Sequence, residues 1–255
     1  MPSPPLPPEA VTPWPTPSSV EDLLRREADE VFKDDRRTRV WRVTDGRGRA
    51  WVVKRFERSP LRQRVTRWAG RHPAQRETRS NAKLRSAGVA AVPIVADGVD
   101  AEGRSWLVTP FVGPSLYHWL MRCDPAGSGA DRRALTRRVG RLTGELLIRK
   151  AAHADYKASN IVLGDRLDPH LIDTGDVSTS KGLPLLASML PMLRTLDENL
   201  RDAATYHPSP AEVTVTPRDR LRFVGAMLGA WRERGLGRPD GVQHLLRSAE
   251  FGDRV

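Results

Sequence analysis

The 255-residue chain carries 42 Lys and Arg against 31 Asp and Glu, a formal charge of +11, and 39% of its residues are hydrophobic. This suits a globular protein with a proper core and no disulfide or metal staples, since Cys123 is the one cysteine and no Cys/His cluster offers a zinc site. A reducing cytoplasm is the expected setting, and with no basic-then-apolar leader and no apolar run of about eighteen residues, neither export nor a membrane span is expected.

Eight of the 21 prolines fall in residues 1–19, where fixed φ angles and missing N–H groups predict an extended, disordered leader over 1–18. Ser18 or Ser19 then caps a helix with Glu21 and Asp22 in its first turn and Leu23, Leu24, Ala28, Val31 and Phe32 on one face. From Thr38 the period changes to that of strands. Residues 38–43 and 50–56 are β-rich runs joined by Asp45-Gly46-Arg47-Gly48, which favours a tight hairpin. Residues 74–87 are helix formers stopped by Gly88, and 92–95 and 105–109 read as two further strands.

After Pro114 the pattern turns helical, with Leu135, Val139, Leu142 and Leu146 on one face. Two short β-like runs, 160–163 and 170–173, precede helices over 183–206 and 217–234. The last opens on Thr216-Pro217 and lines up Leu221, Val224, Leu228 and Trp231. The expectation is an α+β protein, with a small antiparallel-sheet domain carrying one helix over 19–112 and a mostly helical domain over 113–255.

The chemistry concentrates in His153-Ala154-Asp155-Tyr156-Lys157-Ala158-Ser159-Asn160, followed thirteen residues after Asn160 by Asp173-Thr174-Gly175. Phosphoryl transfer from ATP needs Mg²⁺ to bridge the phosphates, oxygen ligands to hold that hard cation and a carboxylate to accept the acceptor's hydroxyl proton. An H-x-D-x-x-x-x-N loop with a D-x-G turn supplies all three.

These motifs resemble the catalytic H-R-D loop and D-F-G turn of the protein-kinase-like bilobal fold. The resemblance implies that Asp155 takes the hydroxyl proton, Lys157 neutralises the γ-phosphate, and Asn160 and Asp173 bind Mg²⁺. It also implies a strand lysine, Lys54 in Trp51-Val52-Val53-Lys54-Arg55-Phe56, that pairs with the α- and β-phosphates. Its partner would be a helical glutamate, and Glu77 is the only acid in residues 58–96. Residues 106–113 resemble the strand entering the hinge, where the Pro110 carbonyl would accept from adenine and the Val112 N–H would donate.

Within that superfamily the chain is most similar to the lipopolysaccharide core kinases that phosphorylate heptose or Kdo sugars. The likeness runs through Lys54-Arg55-Phe56, Arg76-Glu77, Leu84–Val89, the His153 loop, Leu171-Ile172-Asp173 and Arg218–Phe223, roughly residues 40–230. It implies an ATP- and Mg²⁺-dependent sugar kinase at the cytoplasmic face of the inner membrane. Three departures stand out. The expected phosphate loop reads Lys33-Asp34-Asp35-Arg36-Arg37-Thr38 without glycine, which leaves Arg36 or Arg37 as side-chain substitutes; the D-F-G phenylalanine is Thr174; and the H-R-D arginine is Ala154. Without that phenylalanine and arginine, regulation by phosphorylation is not expected and activity is constitutive.

Residues 54–85 hold eleven Lys or Arg and two acids, Glu57 and Glu77. Such a patch attracts an anionic or lipid-linked sugar, an anionic leaflet or, as a weaker expectation, nucleic acid; a general arginine bias of the sequence is the plain alternative. Trp68 reads as core filling or an interfacial anchor, Cys123 as non-catalytic, and His72, His118, His170, His207 and His244 as structural. Two competing readings are an atypical Ser/Thr protein kinase and a catalytically vestigial binding protein for RNA or an anionic membrane.

Overall fold

The computed structural model describes residues 17, 19–57, 72–122, 129–179 and 185–236. The proline-rich leader, Trp68, Cys123 and His244 lie outside the described residues, as do positions 58–71 of the basic run. Helix α1 (Val20–Arg25) is capped by the Ser19 hydroxyl, which accepts from the Asp22 N–H at 3.1 Å. It ends seven residues earlier than its apolar spacing predicts. Arg26 is extended and the Asp29 N–H donates to the Arg42 carbonyl at 2.9 Å, so Val31 and Phe32 fall in strand β1 (Glu30–Asp34) and not on a helix. An available sheet edge overrides a weak helical pattern.

Strands β1, β2 (Thr38–Thr44), β3 (Ala50–Phe56), β4 (Ala96–Val99) and β5 (Ser105–Pro110) form an antiparallel sheet in the order β1-β2-β3-β5-β4. The expected strand at 92–95 is displaced to β4. Pro93 has no N–H to give to a ladder, and the Val92 N–H already donates to the Leu171 carbonyl at 2.9 Å. Register sets Trp41 opposite Val53 and Val43 opposite Trp51, and these four pack with Leu23 and Val108 into a small core. Full burial of such side chains stabilises by about 1.5–3 kcal/mol each. The other face of the sheet carries Val40, Arg42, Lys54 and Leu107.

The expected hairpin joins β2 to β3. Gly48 adopts φ 75° and its N–H closes on the Asp45 carbonyl at 3.0 Å. The Asp45 carboxylate is buried, which alone would raise its pKa. The N–H groups of Arg49 and Arg47 and the Trp51 indole, at 3.0, 2.8 and 3.0 Å, outweigh that and hold it below the usual carboxylate range.

By contact the chain divides into Met1–Arg58 with Pro93–Phe111, and Ser59–Val92 with Val112–Val255. Helix α2 (Pro73–Ser86), which the sequence grouped with the sheet, therefore groups with the helical unit. Asn81 on α2 donates to the Val92 carbonyl at 2.9 Å, and beyond its end Gly88 turns left-handed at φ 80°. The same unit holds α3 (Leu116–Met121), α4 (Gly129–Ile148), α5 (Leu185–Tyr206), α6 (Pro210–Val213) and α7 (Pro217–Glu233). Helices α4 and α7 approach closely because Gly140 and Gly144 lie against Phe223, Ala226, Met227 and Ala230. This is the α+β architecture expected of the protein-kinase-like bilobal fold. Among the described residues no helix is long and apolar enough to cross a membrane.

Helix α7 begins with a reciprocal cap between Thr216 and Asp219. Burial would raise the Asp219 pKa, but the Thr216 hydroxyl and N–H, at 2.8 and 3.2 Å, and Arg132 at 2.8 Å more than reverse it. A carboxyl whose folded pKa lies below its unfolded value stabilises fully above the unfolded pKa, about 4, and loses that contribution as pH falls through the folded one. Thermal stability should therefore fall as pH drops below about 4. The variant Asp219→Asn should be less stable at pH 7 and show a flatter acid limb, and equal acid sensitivity in both proteins would refute the assignment.

Candidate active site

Two short ribbons frame the motif loops. Strands β6 (Ala151–His153) and β9 (Val177–Thr179) pair antiparallel, as do β7 (Ile161–Leu163) and β8 (Pro169–Leu171). The loops between them are tied twice: Ala154 N–H donates to the Asp176 carbonyl at 3.2 Å, and Ile172 N–H to the Asn160 carbonyl at 3.0 Å. Residues thirteen apart in sequence, Asn160 and Asp173, thereby flank one end of the same hairpin.

His153 organises the loop. It is 1% exposed, its Nδ1 accepts from the Asp155 N–H at 3.2 Å, and its Nε2 faces the Ile172 carbonyl at 3.5 Å. Burial pushes its pKa down, so the ring is neutral with the proton on Nε2, as an acceptor at Nδ1 requires. Tyr156 is fully buried with its hydroxyl 2.7 Å from Thr143 Oγ1 on α4, and burial raises its pKa. The Asn199 amide oxygen on α5 accepts from the Ser159 N–H at 3.3 Å. Sequence reasoning missed Thr143 and Asn199, since only distance in space links them to the loop.

At the centre, Asp155 Oδ2 receives Lys157 Nζ at 2.7 Å and Asn160 Nδ2 at 3.1 Å. Asn160 Nδ2 also donates to the Asp155 carbonyl at 2.9 Å. The amide nitrogen of Asn160 is thus committed inward, which leaves its carbonyl oxygen as an acceptor for a cation, and Asp155 keeps Oδ1 for a reactant. Asp173 takes a left-handed backbone, φ 54° and ψ 48°, a conformation that costs a side-chain-bearing residue about 1–2 kcal/mol and that Asp tolerates better than most.

Glu77, 4% exposed, lies against the turn that follows Asp173. The Thr174 hydroxyl is 3.5 Å from the Glu77 carbonyl, and a Cβ built on Gly175 would sit 3.6 Å from Glu77 Cβ and Oε2. Arg76 pairs with Asp176 at 2.8 Å, an exposed contact of little energetic weight. Thr174 thus stands where the resemblance calls for phenylalanine, and it is buried as a packed residue would be.

Lys54 sits mid-strand in β3 between Val40 of β2 and Leu107 of β5, its ammonium 5.0 Å from the Phe56 ring centroid. Pro110 pairs with Trp51, flanked by a bond from Phe111 N–H to the Ala50 carbonyl at 3.0 Å. That alternation turns the Pro110 carbonyl away from β3, beyond the last pair of β4, so the missing N–H breaks no ladder bond. Among the described residues no backbone bond uses the Val112 N–H. At Gly113, φ is 151° and an added Cβ would overlap the Leu163 carbonyl of β7, so glycine is required there. Lys54 and Pro110 belong to the sheet unit; Glu77, Val112, Asp155, Lys157, Asn160 and Asp173 belong to the helical one.

For Mg²⁺ the donor chemistry fits. The Asn160 amide oxygen and the Asp173 carboxylate are hard oxygen donors, and this cation characteristically takes one or two protein ligands with water and phosphate completing its shell. Among the described residues no group of three or more His, Cys, Asp or Glu is placed to hold a metal ion.

Residues 22–173 match the lipopolysaccharide kinase (Kdo/WaaP) family, a span that contains all eight of the residues just placed. No curated protein matches the chain.

Proposed function

Because the chain belongs to the lipopolysaccharide kinase (Kdo/WaaP) family, we propose that it transfers the γ-phosphate of ATP to a sugar hydroxyl of a lipopolysaccharide-type core. The observation that carries this reading is the Asp155–Lys157–Asn160 cluster held beside the Asp173 turn by two interlocked ribbons.

In this reading Asp155 orients the acceptor hydroxyl and takes its proton on Oδ1, while Oδ2 stays fixed by Lys157 and Asn160. Lys157 extends its ammonium toward the γ-phosphate and offsets its charge. Lys54 holds the α- and β-phosphates from the sheet unit. The Pro110 carbonyl and Val112 N–H address the adenine edge. Asn160 and Asp173 would hold Mg²⁺, which when bound neutralises charge on the phosphates. His153, neutral and buried, keeps the loop in shape and does not act as the base.

The proposal carries with it an anionic, lipid-linked acceptor and peripheral contact with the cytoplasmic leaflet. Incubation with γ-labelled ATP and a panel of core oligosaccharide, lipid fractions and proteins tests it. Label is expected in the core oligosaccharide or its lipid-linked form. Label confined to Ser or Thr of proteins would establish a protein kinase instead. No transfer, with no thermal stabilisation by Mg·ATP where a ligand at a hundred times its Kd adds roughly 2.7 kcal/mol, would leave a binding protein.

A further inference from the structure

The β1–β2 turn stands where the resemblance implies a phosphate loop, and the backbone N–H groups of Asp35, Arg37 and Thr38 are already engaged. The Asp35 carboxylate accepts from the N–H groups of Arg37 and Thr38, each at 2.8 Å. Lys33 Nζ lies 3.1 Å from the same carboxylate, and the Asp35 N–H closes the turn on the Thr38 carbonyl at 3.1 Å. The Arg37 N–H, Lys33 and the Thr38 N–H together hold Asp35 below the usual carboxylate range. In a glycine loop such amides bind phosphate. Here a phosphate would have to displace an anion that the chain itself supplies.

The side chains at the tip offer the alternative. Arg36 and Arg37 are exposed and make no ion pair among the described residues, whereas the cations around them are engaged. Lys33, Arg39 and Arg42 pair with Asp35, Asp34 and Glu30 at 3.1, 3.5 and 3.1 Å. The turn also sits at the Lys54 end of the sheet. Thr38 pairs with Phe56, two residues beyond the Val40–Lys54 pair, and the Arg37 carbonyl accepts from the Glu57 N–H at 2.8 Å.

We propose that the nucleotide's phosphates are gripped at this turn by the guanidinium groups of Arg36 and Arg37, with Asp35 locking the backbone that presents them. The proposal rests on the kinase reading above and specifies how its sheet unit recognises the triphosphate. A guanidinium fork matches two phosphate oxygens at once, so it replaces an amide cradle in kind. Exposed contacts of this sort are screened by salt, so affinity for the triphosphate falls as ionic strength rises.

The test is equilibrium binding of Mg·ATP and of adenosine to the full chain, for wild type, the double variant Arg36→Ala/Arg37→Ala, and Asp35→Gly. The double variant should bind Mg·ATP roughly tenfold or more weakly, the loss expected for hydrogen bonds to charged groups, with a shallower salt dependence. Adenosine, which has no phosphate, should bind it as it binds wild type. Equal Mg·ATP affinity in the double variant, or tighter binding by Asp35→Gly with the arginines dispensable, would overturn the side-chain grip in favour of the backbone. Wild type that binds neither probe would bring down the kinase reading itself.

Discussion

Asp155→Asn should lower kcat by about 10²–10⁴-fold, the range that a positioned general base contributes, while the KM for ATP changes little. The substitution keeps the shape of the side chain and lets an amide oxygen still accept from Lys157 and Asn160, which meet Asp155 Oδ2 at 2.7 and 3.1 Å. What it removes is the capacity to take a proton at the other oxygen. The split between kcat and KM matters here, because a merely structural loss would also weaken nucleotide binding and lower the unfolding temperature. Steady-state kinetics with the labelled acceptor and a thermal melt on the same preparation separate the two. Turnover within tenfold of wild type would remove Asp155 from its proposed role.

Gly140→Leu should destabilise the helical unit by about 3 kcal/mol or more, among the larger costs seen for overpacking. A Cβ at Gly140 of α4 would overlap the Phe223 carbonyl of α7 and lie 3.2 Å from Ala226 Cβ, and a helix backbone oxygen cannot rotate aside as a side chain can. The two helices would have to separate. The contrast lies on α7 itself: a Cβ on Gly225 meets nothing within 4 Å, so Gly225→Ala should stabilise by up to about 1 kcal/mol through helix propensity alone. Urea unfolding of both variants measures the difference. The α4 shift also reaches the site, because Thr143 on α4 holds the Tyr156 hydroxyl at 2.7 Å next to Asp155, so Gly140→Leu should lose activity as well as stability. If Gly140→Leu unfolds no more easily than Gly225→Ala, the helices do not pack at this spacing.

Much of the molecule was legible residue by residue where the governing chemistry is local. The Asp45-Gly46-Arg47-Gly48 turn, the helix stop at Gly88 and the Thr216-Pro217 start all appear as expected, because a positive φ, a lost N–H or a capping hydroxyl acts within a few residues. The candidate site loop is legible for the same reason, since Asp155, Lys157 and Asn160 meet within it.

What the sequence by itself determined is therefore the list of parts: the α+β class, the long helices of the second unit, and the candidate residues for handling phosphate, metal and proton. Tertiary structure alone decided that residues 30–34 join a sheet edge, that the fourth strand begins after Pro93, and that α2 leans its buried Glu77 on the turn after Asp173. It also decided that Tyr156 and Ser159 are held from helices α4 and α5. Each of those outcomes depends on which donor meets which acceptor once the chain has closed, and where the partners lie far apart in sequence no local pattern encodes the pairing.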